Sequence, residues 1–225
     1  MPSEVGPVSR FEPPAPSEPT ETPETVREVR RADFVEATLA CLAEHGYQGT
    51  TVRRIADRAG VAPGLLTHYF SGKDELVAAA YRSLSDRVSR LFDERIAAAG
   101  TDPVARLSAF LSASFGPPNL DPALLRIWVN FWSLVVNDPA VRAVHAETYA
   151  DYRAVVASLV VPVAETAGRD LSAEQADALA IGVSALLDGL WLELCLDPTT
   201  FDAGEGERIA REMIGAWLGV PIVAA

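Results

Sequence analysis

Residues 50–76 read TTVRRIADRAGVAPGLLTHYFSGKDEL. Val52, Ile55 and Ala59 give a short first helix one buried stripe, with Thr50 or Thr51 as its cap. Gly60 supplies the left-handed backbone that a tight turn needs, and Val61 is an apolar plug beneath it. A second short helix opens at Pro63, where proline is tolerated. It turns Leu65, Leu66 and one of Tyr69 or Phe70 inward, and leaves Pro63, Gly64, Thr67 and His68 outward. This is the physics of a helix-turn-helix, whose second helix fits the major groove of duplex DNA. Gly64 lets backbone approach the groove closely, and Thr67 and His68 carry groups that bond bases or phosphates. Thr50 and Thr51 lie at a helix N-terminus, which favours a phosphate. Lys73 opens the next helix as a further phosphate contact, and Tyr69 is a candidate for the DNA backbone. Arg53, Arg54 and Arg58 raise the local potential. Arg53, nearest the helix start, is the preferred contact, the others being suited to surface ion pairs.

Outward from this stretch the periodicity is helical throughout. Phe34, Ala37, Cys41, Leu42 and His45 mark a helix that begins near Thr25 and stops at Gly46. Another runs from Lys73 toward Gly100. Further segments are expected over Asp102–Phe115, Pro122–Val136, Asp138–Ala167 with a break at Pro162, Ser172–Leu196 opened by a Ser172/Gln175 capping box, and Asp202–Leu218. Residues 1–24 hold seven prolines and few large apolar side chains, and read as a disordered tail. The fold class is all-α. A three-helix DNA-binding domain over 25–76 precedes a helical effector-binding and dimerisation domain over 77–225.

The net charge of −12 argues against nucleic acid until it is divided along the chain. Residues 1–24 carry −4, residues 76–225 carry −8, and residues 25–75 carry none. The segment that escapes the acidic bias is the one with the DNA-binding signal. Cys41 and Cys195 are far apart and lack metal-type spacing, so reduced thiols in a cytoplasm are expected, with no metal and no cofactor. No apolar run reaches the length of a membrane span, and no membrane partner is expected. His45, His68 and His145 are scattered, and no nucleophile–base, zinc or phosphate-loop pattern appears, so an enzyme is not expected.

The segment from Arg31 to Leu76 resembles the DNA-binding domain of the TetR family. Gly46, Thr51, Ile55, Ala56, Ala59, Gly60, Val61, Gly64, His68, Tyr69, Phe70, Lys73 and Leu76 carry the resemblance. Within the family the chain looks most like BetI-type regulators, which sense choline. That likeness rests on His68-Tyr69-Phe70, on Trp128 with Phe131-Trp132, and on Leu187-Asp188-Gly189-Leu190-Trp191-Leu192. Thr67 stands where the family often has tyrosine, and Leu65 and Pro63 also depart from it, so an operator sequence does not carry over. The resemblance implies a repressor that binds a palindromic operator as a dimer and is released by a small molecule.

Trp128, Phe131 and Trp132 share one helical face. Tyr149 lies on the next helix, and Asp188 and Trp191 share a face of the penultimate one. Rings with a carboxylate suit a choline-like cation through cation–π attraction, and a hydrophobic or aromatic effector suits a mainly apolar pocket. The plain alternative for such a stripe is core. Leu187, Leu190, Trp191 and Leu194, with Ile214, Trp217 and Leu218, form the candidate homodimer bundle. The competing functional reading is a ligand-binding helical protein without DNA-binding activity. It leaves the placement of Gly60, Gly64, Thr67 and Lys73 without a reason.

Overall fold

The computed structural model describes residues 23–223. Nearly all of the tail expected over 1–24 therefore lies outside the described residues; Pro23 and Glu24 already belong to the first helix. Nine helices and no strand occur among the described residues: α1 Pro23–Gly49, α2 Val52–Arg58, α3 Pro63–Leu66, α4 Lys73–Ala98, α5 Pro103–Ser114, α6 Pro122–Val135, α7 Pro139–Thr166, α8 Ala173–Leu196 and α9 Ala203–Leu218.

Local chemistry accounts for most boundaries. Thr51, Asp102, Asp121, Asp138, Ser172 and Asp202 cap the starts of α2, α5, α6, α7, α8 and α9 through their side-chain oxygens. Ser172 and Gln175 form the expected capping box. The regular run of α1 is interrupted at Gly46, where φ is +64°, and Asn130 of α6 accepts a hydrogen bond from the Tyr47 amide just beyond. Pro162 does not break α7, which continues to Thr166. The flanking Val160 and Val163 are fully buried, so packing on both sides outweighs the one lost backbone bond.

Two apolar cores lie along α4. The first unites Phe34 and Leu42 of α1, Ile55 of α2, Leu66 of α3 and Leu76, Tyr81 and Leu84 of α4 with Ile127, Trp128 and Phe131 of α6. The second joins Phe92 and Ile96 of α4 to α5, α7, α8 and α9. At 26 residues, α4 is about 39 Å long and is shared by both. A helix-turn-helix fold would need only the first three helices to bury its face. Here α6 is built into that face as well, so the two ends of the molecule are mechanically joined by α4 and α6.

Candidate nucleic-acid interface and effector cavity

The helix-turn-helix is assembled as its residues dictate. Ile55 and Ala56 are buried under α2, and Leu66 and Phe70 under α3. Gly60 takes φ +68° in the turn. Thr51, Arg53, Pro63, Gly64, Thr67 and His68 are all exposed. A Cβ on Gly64 would meet nothing, so that side of α3 is open. The Thr67 hydroxyl donates to the Gly64 carbonyl at 2.8 Å and presents only lone pairs outward, which suits a donor on a base edge rather than a phosphate. Leu65, expected inward, is 38% exposed, because α3 is a single turn and only Leu66 and Phe70 can reach the core.

One assignment near this surface changes, and two residues gain intramolecular partners. Thr50 is fully buried and its hydroxyl donates to the Gly46 carbonyl at 2.7 Å, so it holds the turn after α1 and cannot meet a phosphate. Tyr69 is half-buried, its ring edge-on to Phe34 at 5.4 Å. Lys73 donates to the Tyr47 carbonyl at 2.7 Å with its ammonium 3.5 Å over the Tyr47 ring, and this burial pulls its pKa down. Arg58 pairs with Glu44 at 2.8 Å, as a surface arginine would, whereas Arg53 is 4.0 Å from Asp57 and the more exposed of the two. Sequence reasoning missed Arg31. It donates to the Tyr69 carbonyl at 2.5 Å and lies 4.1 Å over Phe70, clamping the end of the recognition segment to α1. Its place in the Arg27–Arg31 cluster was the available signal.

Farther along, α4, α6, α7 and α8 line a cavity of about 50 Å³ that is partly open to solvent. Trp128 and Trp132 of α6, Tyr149 of α7, and Asp188 and Trp191 of α8 line it, as the sequence reading expected. Tyr152 and Thr148 of α7 join them, and α4 adds Ser85, Val88, Ser89 and Phe92, which no sequence signal singled out. Phe131 does not line it. It is fully buried one helical step away, 4.7 Å from the Tyr81 ring, and belongs to the first core.

Asp188 is the charged centre of this cavity. Burial drives its carboxyl up to about 6, opposed by a hydrogen bond from the Tyr149 hydroxyl at 3.1 Å and by Arg153. Burial also raises Tyr149 and Tyr152 well above the usual phenol range, so both stay neutral. The Trp191 indole donates to the Ser114 carbonyl at 3.1 Å, which fixes that wall.

Two family models match the chain. "Bacterial regulatory proteins, tetR family" covers residues 34–80, and "BetI-type transcriptional repressor, C-terminal" covers residues 103–219. The HTH-type transcriptional regulator BetI of Paraburkholderia phymatum is 33% identical over 190 residues, which is 84% of this chain and 93% of that protein. This chain belongs to the TetR family, in its BetI-type branch.

It is accordingly a DNA-binding transcriptional regulator of the helix-turn-helix class, and its curated relatives are regulators rather than enzymes. A solved TetR-like fold agrees: a putative transcriptional regulator from Pseudomonas aeruginosa PAO1 is 44% identical with a TM-score of 0.77, over 85% of this chain and 91% of that one. A putative transcriptional regulator from Saccharomonospora viridis, crystallised in complex with choline, shares the fold with a TM-score of 0.69 at 21% identity, over 83% and 96% of the two chains. The two family models leave a gap at residues 81–102, most of the body of α4. In this TetR-family chain the connecting helix carries the second domain's cavity wall on one flank.

The residues expected to pair two such chains divide. Leu187, Ile214 and Leu218 are buried within the single chain, and Leu187 lines the cavity, so they cannot meet a partner. Leu190, Trp191 and Leu194 are half-buried. Trp217 is 38% exposed, beside Met213 at 43%. On α8 the outward apolar stripe is Ile181, Ala185, Gly189, Leu192 and Leu196, rotated from the expected one because the rest of α8 packs against α7, α6 and α9. By length and composition α8 is apolar enough to cross a membrane, yet only 28% of its most apolar window is buried within the chain.

Proposed function

We propose that this regulator binds a two-fold operator as a homodimer and lets go of it when a small organic cation enters the α4–α6–α7–α8 cavity. The observation that carries the effector reading is Asp188, a half-buried carboxylate in a cavity also lined by Trp128, Trp132, Tyr149, Tyr152 and Trp191. A buried carboxylate is held at a cost unless a cation joins it, and aromatic faces attract such a cation without a competing hydration shell. The choline bound to the Saccharomonospora viridis protein is in keeping with this class. A neutral aromatic effector is the second reading, favoured by Val88, Phe92 and Leu187 in the wall.

On the DNA side, residues 25–76 act as the reading head and 77–225 as the effector and dimer region. Gly64, Thr67, His68 and Pro63 enter the groove, while Thr51, Arg53, Tyr69 and Lys73 meet the backbone. Lys73 keeps two of its three donors for a phosphate beyond the one given to Tyr47. The dimer forms through the exposed stripe of α8 with Met213 and Trp217 of α9, a contiguous apolar face of a kind that monomers rarely leave open. The protein works in the cytoplasm, beside the DNA it reads. Effector entry shifts α4, changes the spacing of the two heads, and takes them out of step with successive grooves.

Calorimetry with choline, and fluorescence anisotropy on the palindrome upstream of the gene with and without it, test the scheme. Binding heat abolished by Asp188→Asn, together with operator release, is expected. Undiminished heat in that variant selects the neutral effector, and no operator binding at low salt discards the whole reading.

A further inference from the structure

Cavity and reading head are separated by most of a helix, and a linked chain of side chains bridges them. Asp188 on α8 accepts a hydrogen bond from the Tyr149 hydroxyl at 3.1 Å. The Tyr149 ring packs on His145 one turn earlier in α7, with centroids 4.1 Å apart. Burial lowers the pKa of His145, which keeps the ring neutral near pH 7, and its Nδ1 is 2.8 Å from the Tyr81 hydroxyl. Tyr81 is fully buried on α4, two turns from Lys73, and its ring packs against Trp128 at 5.5 Å. The path from Asp188 to His145 is one hydrogen bond and one ring contact, and the Tyr81–His145 bond is the point at which it crosses onto α4.

We propose that the Tyr81–His145 hydrogen bond is the joint through which occupation of the cavity moves α4 and hence the reading head. It rests on the effector reading given above. A cation beside Asp188 competes with the Tyr149 hydroxyl for the carboxylate. Tyr149 shifts, His145 follows because its ring lies against Tyr149, and the bond to Tyr81 draws α4 along. The Trp128 indole N–H, on the ring that packs edge-on to Tyr81, is buried without a hydrogen-bond partner. Beside this joint the exposed Arg82–Glu147 pair also ties α4 to α7, at 2.5 Å, but its exposure makes it a weak link. Tyr81 and His145 are positioning residues; neither lines the cavity and neither faces DNA.

The test uses the full chain, choline as the probe, and the factor by which saturating choline weakens operator binding. Y81F and H145F each remove one partner of the bond and keep a ring in place. Each is expected to bind operator alone and choline alone within about twofold of the wild type, yet to show a coupling factor about fivefold smaller, the worth of one hydrogen bond. The double variant should lose no more than either single one, since both remove the same bond. A wild-type coupling factor in Y81F and H145F overturns the proposal, and so do additive losses in the double variant. Thermal unfolding of each variant identifies one that fails to fold, in which case the other decides. If the wild type keeps its operator in saturating choline, the effector reading has failed before any variant is made, and this proposal falls with it.

Discussion

The reading head and the effector cavity are built from similar helices but keep their functional groups in opposite states. In the head, Thr51, Arg53, Gly64, Thr67 and His68 stand in water within 18 consecutive residues. In the cavity, the contributors run from Ser85 to Trp191 on four helices, and the one carboxylate among them is half-buried, its pKa raised by desolvation. A surface that waits for DNA keeps its polar groups solvated until contact, so it costs the fold little. In the proposed scheme the cavity holds a destabilising charge in reserve, and a cationic ligand relieves it.

The sharpest break of this comparison is in the dimer. Ile181→Asp places a charge on the outward stripe of α8, against its symmetry mate in the proposed dimer. It is expected to give monomers by sedimentation equilibrium and to weaken operator binding by about 10²-fold or more, as two linked heads become one. An unchanged dimer would move the interface elsewhere. Gly64→Glu tests the head alone. With nothing within reach of a side chain there, the fold should be untouched, while the carboxylate facing DNA lowers operator affinity by about 100-fold in anisotropy.

Asp188→Asn tests the reserve charge. The native carboxyl holds its proton more tightly than in the unfolded chain, its value rising from 3.8 to about 6. Stability from this group is therefore present at low pH and is lost as pH climbs through that window, by about 3 kcal/mol in all. The variant should melt several degrees above the wild type at pH 7.5 and together with it near pH 3.5, by calorimetry. A variant less stable at pH 7.5 would mean that the Tyr149 bond outweighs burial. The smallest effect belongs to Arg53→Ala. Its ion pair with Asp57 is long and exposed, so stability should hold within about 0.5 kcal/mol. Operator binding should weaken a few-fold for all sequences alike, with a salt slope shallower by about 1.

How far the sequence could be read follows the same division. The helix starts were legible because Thr51, Asp102, Asp121, Asp138, Ser172 and Asp202 act on amides two or three residues away. Gly46 and Gly60 were legible because a left-handed turn is a property of one residue. Thr50 was misread because it sits one residue before the cap, and only the chain direction after Gly46 decides whether its hydroxyl meets solvent or a carbonyl. Phe131 and Leu187 were misassigned for a related reason. An aromatic or leucine stripe states that a helix face is apolar, but not whether that face meets a cavity, a core or a second chain.

By itself the sequence determined an all-α chain, most of its helix starts and a DNA-reading turn, since each depends on interactions spanning a few residues. Only the tertiary structure decided which face of α8 closes the cavity around Asp188 and which lies open at Ile181. The same packing brought Tyr81 to His145. Those outcomes depend on how helices rotate about their axes when they pack, and that rotation is settled by contacts between residues as much as a hundred positions apart.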